Sequence, residues 1–259
     1  MSTKYPLLLV HGIVLKDVHF FKAFGKIESI LTQNGYTVST SRTDGFGSIE
    51  NNAAQLKEHI EDILQKTGAE KINLIAHSKG GLDSRYMIDN LGMRDKVASV
   101  TFLCTPHKGS RVATKIDGLP RPIKGMIAGV LNLEYRLFGD KNPDALTVCR
   151  QLCHTPDGIL EHPDNYDGIF LQSYSTTLKR SRDDFVMGIP LRFSHYLGDT
   201  VSDGLVSAES SKFVNYRGDC TDDSISHSEI VDFMTRKHKK EKIYAFYLSL
   251  CEELAERGL

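Results

Sequence analysis

Short, nearly continuous apolar runs alternate with segments whose apolar positions recur every three or four residues, and this rhythm occupies the first hundred positions. Residues 5–10 form an apolar run ending at His11-Gly12, and residues 20–31 then follow helical spacing until Asn34-Gly35. Strands are predicted again at 36–40, 72–76 and 97–103, with helices at 49–66, closed by Gly68, and at 80–90. Runs apolar at every position are buried on both faces. Strands of that kind alternating with helices predict an α/β fold, a mostly parallel sheet with helices on both faces.

The rhythm stops after Thr105-Pro106-His107. From 108 to about 184 no clear strand is read, and Pro120, Pro122, Pro143, Pro156 and Pro163 divide short helical pieces, which predicts a helical cap inserted into the sheet domain. Within it Ile123, Met126, Ile127, Val130, Leu131, Leu137 and Phe138 place an apolar stripe on one helix, either packed as a core face or serving as a lid that meets lipid. A further strand is predicted at 191–197, then a Gly/Asp/Ser loop at 198–206, a last loop at 218–227 and a helical tail at 239–257. Residues 1–259 are read as a single domain.

Charge adds little to this picture. Lys and Arg number 32 against 33 Asp and Glu, a formal net charge of −1, so no nucleic-acid partner is implied. The densest basic run, Arg236-Lys237-His238-Lys239-Lys240, reads as the solvated start of the last helix. Five scattered cysteines form no disulfide framework, and Cys149, Cys153 and His154 lack the second cluster a metal site would need. With no secretory signal after Met1 and no stretch near 20 apolar residues, the expectation is a cytoplasmic protein without a transmembrane segment.

The chemistry concentrates where residues 72–76 run into His77-Ser78-Lys79-Gly80-Gly81. A serine exposed on a tight strand-to-helix turn needs small residues two places before and after it, and Ala76 and Gly80 provide them. Such a nucleophile needs a base, and the base needs a carboxylate to orient it. In the order serine, acid, histidine the chain offers Ser78, Asp203 and His227; Asp199 is the rival acid, Asp222 and Asp223 lie too near His227 in sequence, and His238 falls in the charged run. The expected oxyanion donors are the N–H of Lys79, next to the serine, and of Ile13, after the His11-Gly12 turn. His11, Gly12, His77, Met126, Ile127 and Val130 are the expected substrate-binding residues, although neighbouring side chains at an elbow point apart and His77 reads more readily as a packing residue.

These segments, together with Arg85-Tyr86, Thr105-Pro106-His107-Lys108-Gly109-Ser110, Asp203-Gly204-Leu205-Val206 and Ser226-His227, resemble the bacterial triacylglycerol lipases and carboxylesterases of the α/β-hydrolase superfamily. The resemblance implies the α/β-hydrolase fold with a lid, and a triad on Ser78, Asp203 and His227 that cleaves carboxylic esters with apolar acyl groups through an acyl-enzyme. Acyl transfer, thioester cleavage and phospholipid cleavage would use the same triad, and a non-catalytic binding protein is the remaining alternative. The implied partners are a small-molecule or lipid ester and, transiently, a lipid interface. No organic cofactor is required. The resemblance also implies a structural calcium, held in part by a carboxylate two positions after the histidine, here Glu229, with no second ligand identifiable. His107 is read as structural.

Overall fold

Leu7–Val10, the first strand (β1), shows why its run is apolar throughout. Leu7 and Leu9 enter one core and Leu8 and Val10 the other, so successive side chains are buried on opposite faces of the sheet. The computed structural model describes residues 2–13, 22–153 and 166–259. Among them β1 is joined by β2 (Val38–Thr40), β3 (Ile72–His77), β4 (Val97–Leu103), β5 (Phe170–Ser175) and β6 (Tyr216–Asp219) in the order β2-β1-β3-β4-β5-β6, every neighbouring pair parallel. One core packs Leu7, Leu9, Ile75 and Leu103 against α1 (Ile27–Gln33) and α9 (Lys237–Glu256); the other packs Leu8, Val10, Leu74, Ala76 and Phe102 against α2 (Ile49–Thr67) and α3 (Lys79–Asn90). No helix of the described residues is long and apolar enough to cross a membrane.

The sheet departs from the sequence reading in two places. β5 lies inside the stretch 108–184 expected to be cap and free of strands, so part of that stretch belongs to the sheet. Gln172, Ser173 and Ser175 are buried there and hydrogen-bonded, Gln172 donating to Thr101 Oγ1 at 3.1 Å, and polar residues of this kind hide a strand from an apolar search. Residues 191–197 are not a strand. Residues 191–196 belong to α7 (Gly188–Tyr196), whose buried Gly188, Leu191 and Ser194 recur every three residues, and the short α8 (Ala208–Ser211) follows. The expected helix at 20–31 begins later, at Ile27, and Phe20 and Phe21 lie outside the described residues.

Between β4 and β5 run α4 (Arg111–Asp117), α5 (Arg121–Leu137) and α6 (Ala145–Cys153). The end of α5 is fixed by two reciprocal carboxylates: Asp44 accepts from the N–H groups of Lys141 and Asn142, both at 2.9 Å, and Asp140 accepts from those of Gly45 and Phe46 at 3.0 and 2.8 Å. Phe46 also meets the Tyr135 ring edge-on at 4.5 Å. Asp44→Ala strands the N–H groups of Lys141 and Asn142, and denaturant unfolding should show a loss of about 2 kcal/mol or more.

Candidate active site

The turn from β3 into α3 holds Ser78 at φ 55° and ψ −130°, a strained conformation for a residue with a Cβ. The Ser78 N–H is fixed to the Leu103 carbonyl at 2.9 Å, which ties the turn to β4. Gly80 is required because a Cβ there would stand 2.5 Å from the His11 carbonyl oxygen. Ala76 is fully buried in the sheet, so its methyl fits where the motif more often carries glycine.

Ser78, His227 and Asp203 come together. His227 Nε2 lies 2.9 Å from Ser78 Oγ, and His227 Nδ1 lies 2.7 Å from Asp203 Oδ2. The other carboxylate oxygen of Asp203 accepts from the N–H groups of Leu205 and Val206 at 2.9 and 2.8 Å, and its backbone carbonyl accepts from His227 N–H at 3.0 Å. Asp203 and His227 are therefore fixed to each other by backbone and side chain. Asp199 pairs with Arg111 instead, Asp222 and Asp223 flank Lys242, and His238 is exposed. Cys104 Sγ approaches the Asp203 and His227 ligand atoms to within 4.8 Å, but burial, and then the Asp203 charge, push its thiol well above the ordinary range and keep it protonated.

Gly12 packs against the serine from the β1 side. A Cβ at Gly12 would lie 2.7 Å from Ser78 Cβ and 3.0 Å from the Lys79 nitrogen, so the expected oxyanion loop touches the start of α3. Lys79 has its side chain fully buried and paired with Asp83 at 2.7 Å, where burial drives the Asp83 carboxyl up against the pull of that ammonium.

A cavity of about 460 Å³ opens beside Ser78, lined by Ile13, His77 and His227 at the Ser78 end and by Ile127, Ala128 and Leu131 of α5. Of the expected substrate-binding residues, His77 and Ile127 line it. Met126 and Val130 do not: they are 67% and 62% exposed on the opposite side of α5, because the apolar stripe is wide enough to present two faces. His11 is also turned away, its ring nitrogens facing the Gly12 carbonyl at 2.9 Å and Thr43 Oγ1 at 3.5 Å. Burial, and then the neighbouring His227, hold His77 well below the usual histidine range, and its ring lies 4.6 Å from that of His227.

Glu229, the carboxylate expected to help hold a calcium, is paired with a cation of the chain itself. Both its oxygens accept from Lys239 Nζ, at 2.8 and 2.6 Å, and Lys239, expected in a solvated basic run, is buried. That run shows only charge, whereas the burial of its fourth member depends on which side of α9 faces the loop after His227. Lys240 is paired too, with Asp232 at 3.0 Å. Cys149 and Cys153 donate to backbone carbonyls, and His154 lies outside the described residues.

With this geometry in view, residues 5–120 match the family model described as alpha/beta hydrolase fold. The chain is 29% identical over 260 residues to Triacylglycerol lipase 2 of Saccharomyces cerevisiae, covering 90% of this chain and 73% of that protein. It is 34% identical over 164 residues to a triacylglycerol lipase of Pseudarthrobacter phenanthrenivorans, covering 58% of this chain and 51% of the relative. The chain has the α/β-hydrolase fold and is similar to lipases and esterases. It shares its fold with the Staphylococcus hyicus lipase (TM-score 0.68, 16% identity, 98% and 96% of the two chains). The mature Bacillus licheniformis lipase BlEst2 is similar in the same way, with TM-score 0.67, 21% identity, and 96% and 92% coverage. Against the bacterial relatives matched in sequence, the chain spans about half of their length or less.

His107 has the structural place expected of it. It accepts from Arg85 at 3.2 Å, stacks on Phe213 at 4.4 Å, and is held well below the usual histidine range by burial and by the Arg85 charge.

Proposed function

We propose that this protein hydrolyses carboxylic esters of apolar acids through an acyl-enzyme on Ser78. The observation that carries the reading is the hydrogen-bonded line from Ser78 Oγ through His227 to Asp203 at the end of an apolar cavity. His227 Nε2 takes the serine proton as Oγ attacks the ester carbonyl, and Asp203 holds the Nδ1–H tautomer and stabilises the imidazolium. The N–H groups of Ile13 and Lys79 receive the oxyanion, the latter at the first turn of α3 where the helix dipole favours negative charge. Collapse of the tetrahedral intermediate expels the alcohol, which takes its proton from His227. Water, deprotonated by the same histidine, then releases the acid.

The acyl group lies against Ile127, Ala128 and Leu131, and the substrate is a lipid ester rather than a small polar one. Leu131→Trp should therefore lower kcat/KM for long acyl chains several-fold more than for acetyl esters, read from p-nitrophenyl esters of increasing length. On the outer side of α5 the exposed Met126, Val130, Leu133 and Leu137 suit transient contact with a lipid aggregate. Labelling of the intact protein by a fluorophosphonate probe, mapped to Ser78 by mass spectrometry, tests the mechanism. Absence of labelling, or acyl transfer to added alcohols strongly outpacing hydrolysis, would overturn the reading.

A further inference from the structure

Lys239 Nζ stands at the centre of a buried set of oxygens just beyond His227. Its three N–H donors meet three acceptors: Glu229 Oε1 at 2.8 Å, Glu229 Oε2 at 2.6 Å and the Asp183 carbonyl at 3.1 Å. Glu229 in turn brackets the histidine. Its Oε2 accepts from Ser226 N–H and its own N–H donates to Ser226 Oγ, both at 3.1 Å, closing a reciprocal box with His227 inside. Ser226 Oγ also donates to Asp184 at 2.6 Å.

A divalent cation does not fit this place. Calcium needs six to eight oxygens at about 2.3–2.6 Å, and here the charge centre is filled and the neighbouring acids are committed. Asp183 accepts from Arg180 and Ser224, and Asp184 from Ser226 and the N–H groups of Val186 and Met187.

We infer that Lys239 is a positioning residue for His227, a cation tethered to α9 that organises the Ser226–Glu229 turn and leaves calcium no site there. The inference rests on His227 being the catalytic base. A tethered ammonium is present at fixed effective concentration, whereas a bound ion holds the folded state only in proportion to its supply. Lys239 touches neither substrate nor serine; it acts through Glu229.

The test compares the intact protein with Lys239→Ala in chelator and in calcium chloride, reading kcat, KM, melting temperature and isothermal titration of calcium. The wild type should show the same kcat and melting temperature in both, and no calcium binding at this turn. Lys239→Ala frees the Glu229 carboxylate and the Asp183 carbonyl, so kcat should fall on the order of 100-fold with KM little changed, and calcium, its shell completed by water, should bind, raise the melting temperature and restore much of kcat. Glu229→Gln combined with Lys239→Met, a neutral pair that keeps the turn folded, should be slow and indifferent to calcium. Wild-type dependence on calcium, wild-type kcat in Lys239→Ala, or a calcium response in the neutral pair would each overturn the inference. Fluorophosphonate labelling of wild-type Ser78 separates failure of the inference from failure of the mechanism.

Discussion

Ser78→Ala is expected to lower kcat on a soluble ester by about 10⁶-fold while leaving the fold intact, the loss found when a triad serine is removed. The variant should still bind an apolar ester, because the cavity walls of α5 are unchanged, so competition by the alanine protein for a fluorescent fatty ester separates binding from chemistry. His227→Ala should match it, and the double variant should be little worse, since serine and base act as one unit. Asp203→Ala should cost less, on the order of 10⁴-fold. Equal and additive losses at the three positions would contradict a relay through the 2.9 Å and 2.7 Å hydrogen bonds.

Gly12→Ala has the largest expected effect outside Ser78, His227 and Asp203, from a single methyl. The added carbon would meet Ser78 Cβ at 2.7 Å and the Lys79 nitrogen at 3.0 Å, and no flexible side-chain end is available there to yield. The loop carrying Ile13 must therefore retreat from the start of α3, which separates the two oxyanion donors. A fall in kcat of about 10²–10³-fold is expected, comparable to losing one donor. KM should change less, because the cavity wall formed by Ile127 and Leu131 is untouched. Stopped-flow measurement of the acylation burst should place the defect in the first step.

Much of this site can be read in the sequence because its parts are local. A strand run, a serine between small residues, and an acid and a histidine in late loops of the right order already name Ser78, Asp203 and His227. The choice of Asp203 over Asp199 is legible from its glycine and the apolar segment after it, and the structure gives the reason: Asp203 receives the N–H groups of that same segment. What escaped depends on partners far apart in the chain. β5 carries buried glutamine and serines whose hydrogen-bond partners lie on β4 and near β6, and an apolar pattern does not register them. On α5 the stripe is plain, but the side of it facing the cavity is set by packing on α6, so Ile127 lines the cavity and Met126 and Val130 face away from it. Lys239 is invisible for the same reason, since its acceptors stand 10 and 56 positions away.

The reciprocal carboxylates Asp44 and Asp140 have a mechanical consequence. They clamp α5 only beyond its carboxyl end, while its amino end follows the Gly118–Pro120 bend after α4. A helix of 17 residues is a lever about 25 Å long. Turning it by roughly 10° about the clamp would carry the Arg121 end about 4 Å while displacing Tyr135 by well under 1 Å. The entrance would then widen from one side like a door on its hinge post, with Phe46 and Tyr135 keeping the hinge side shut.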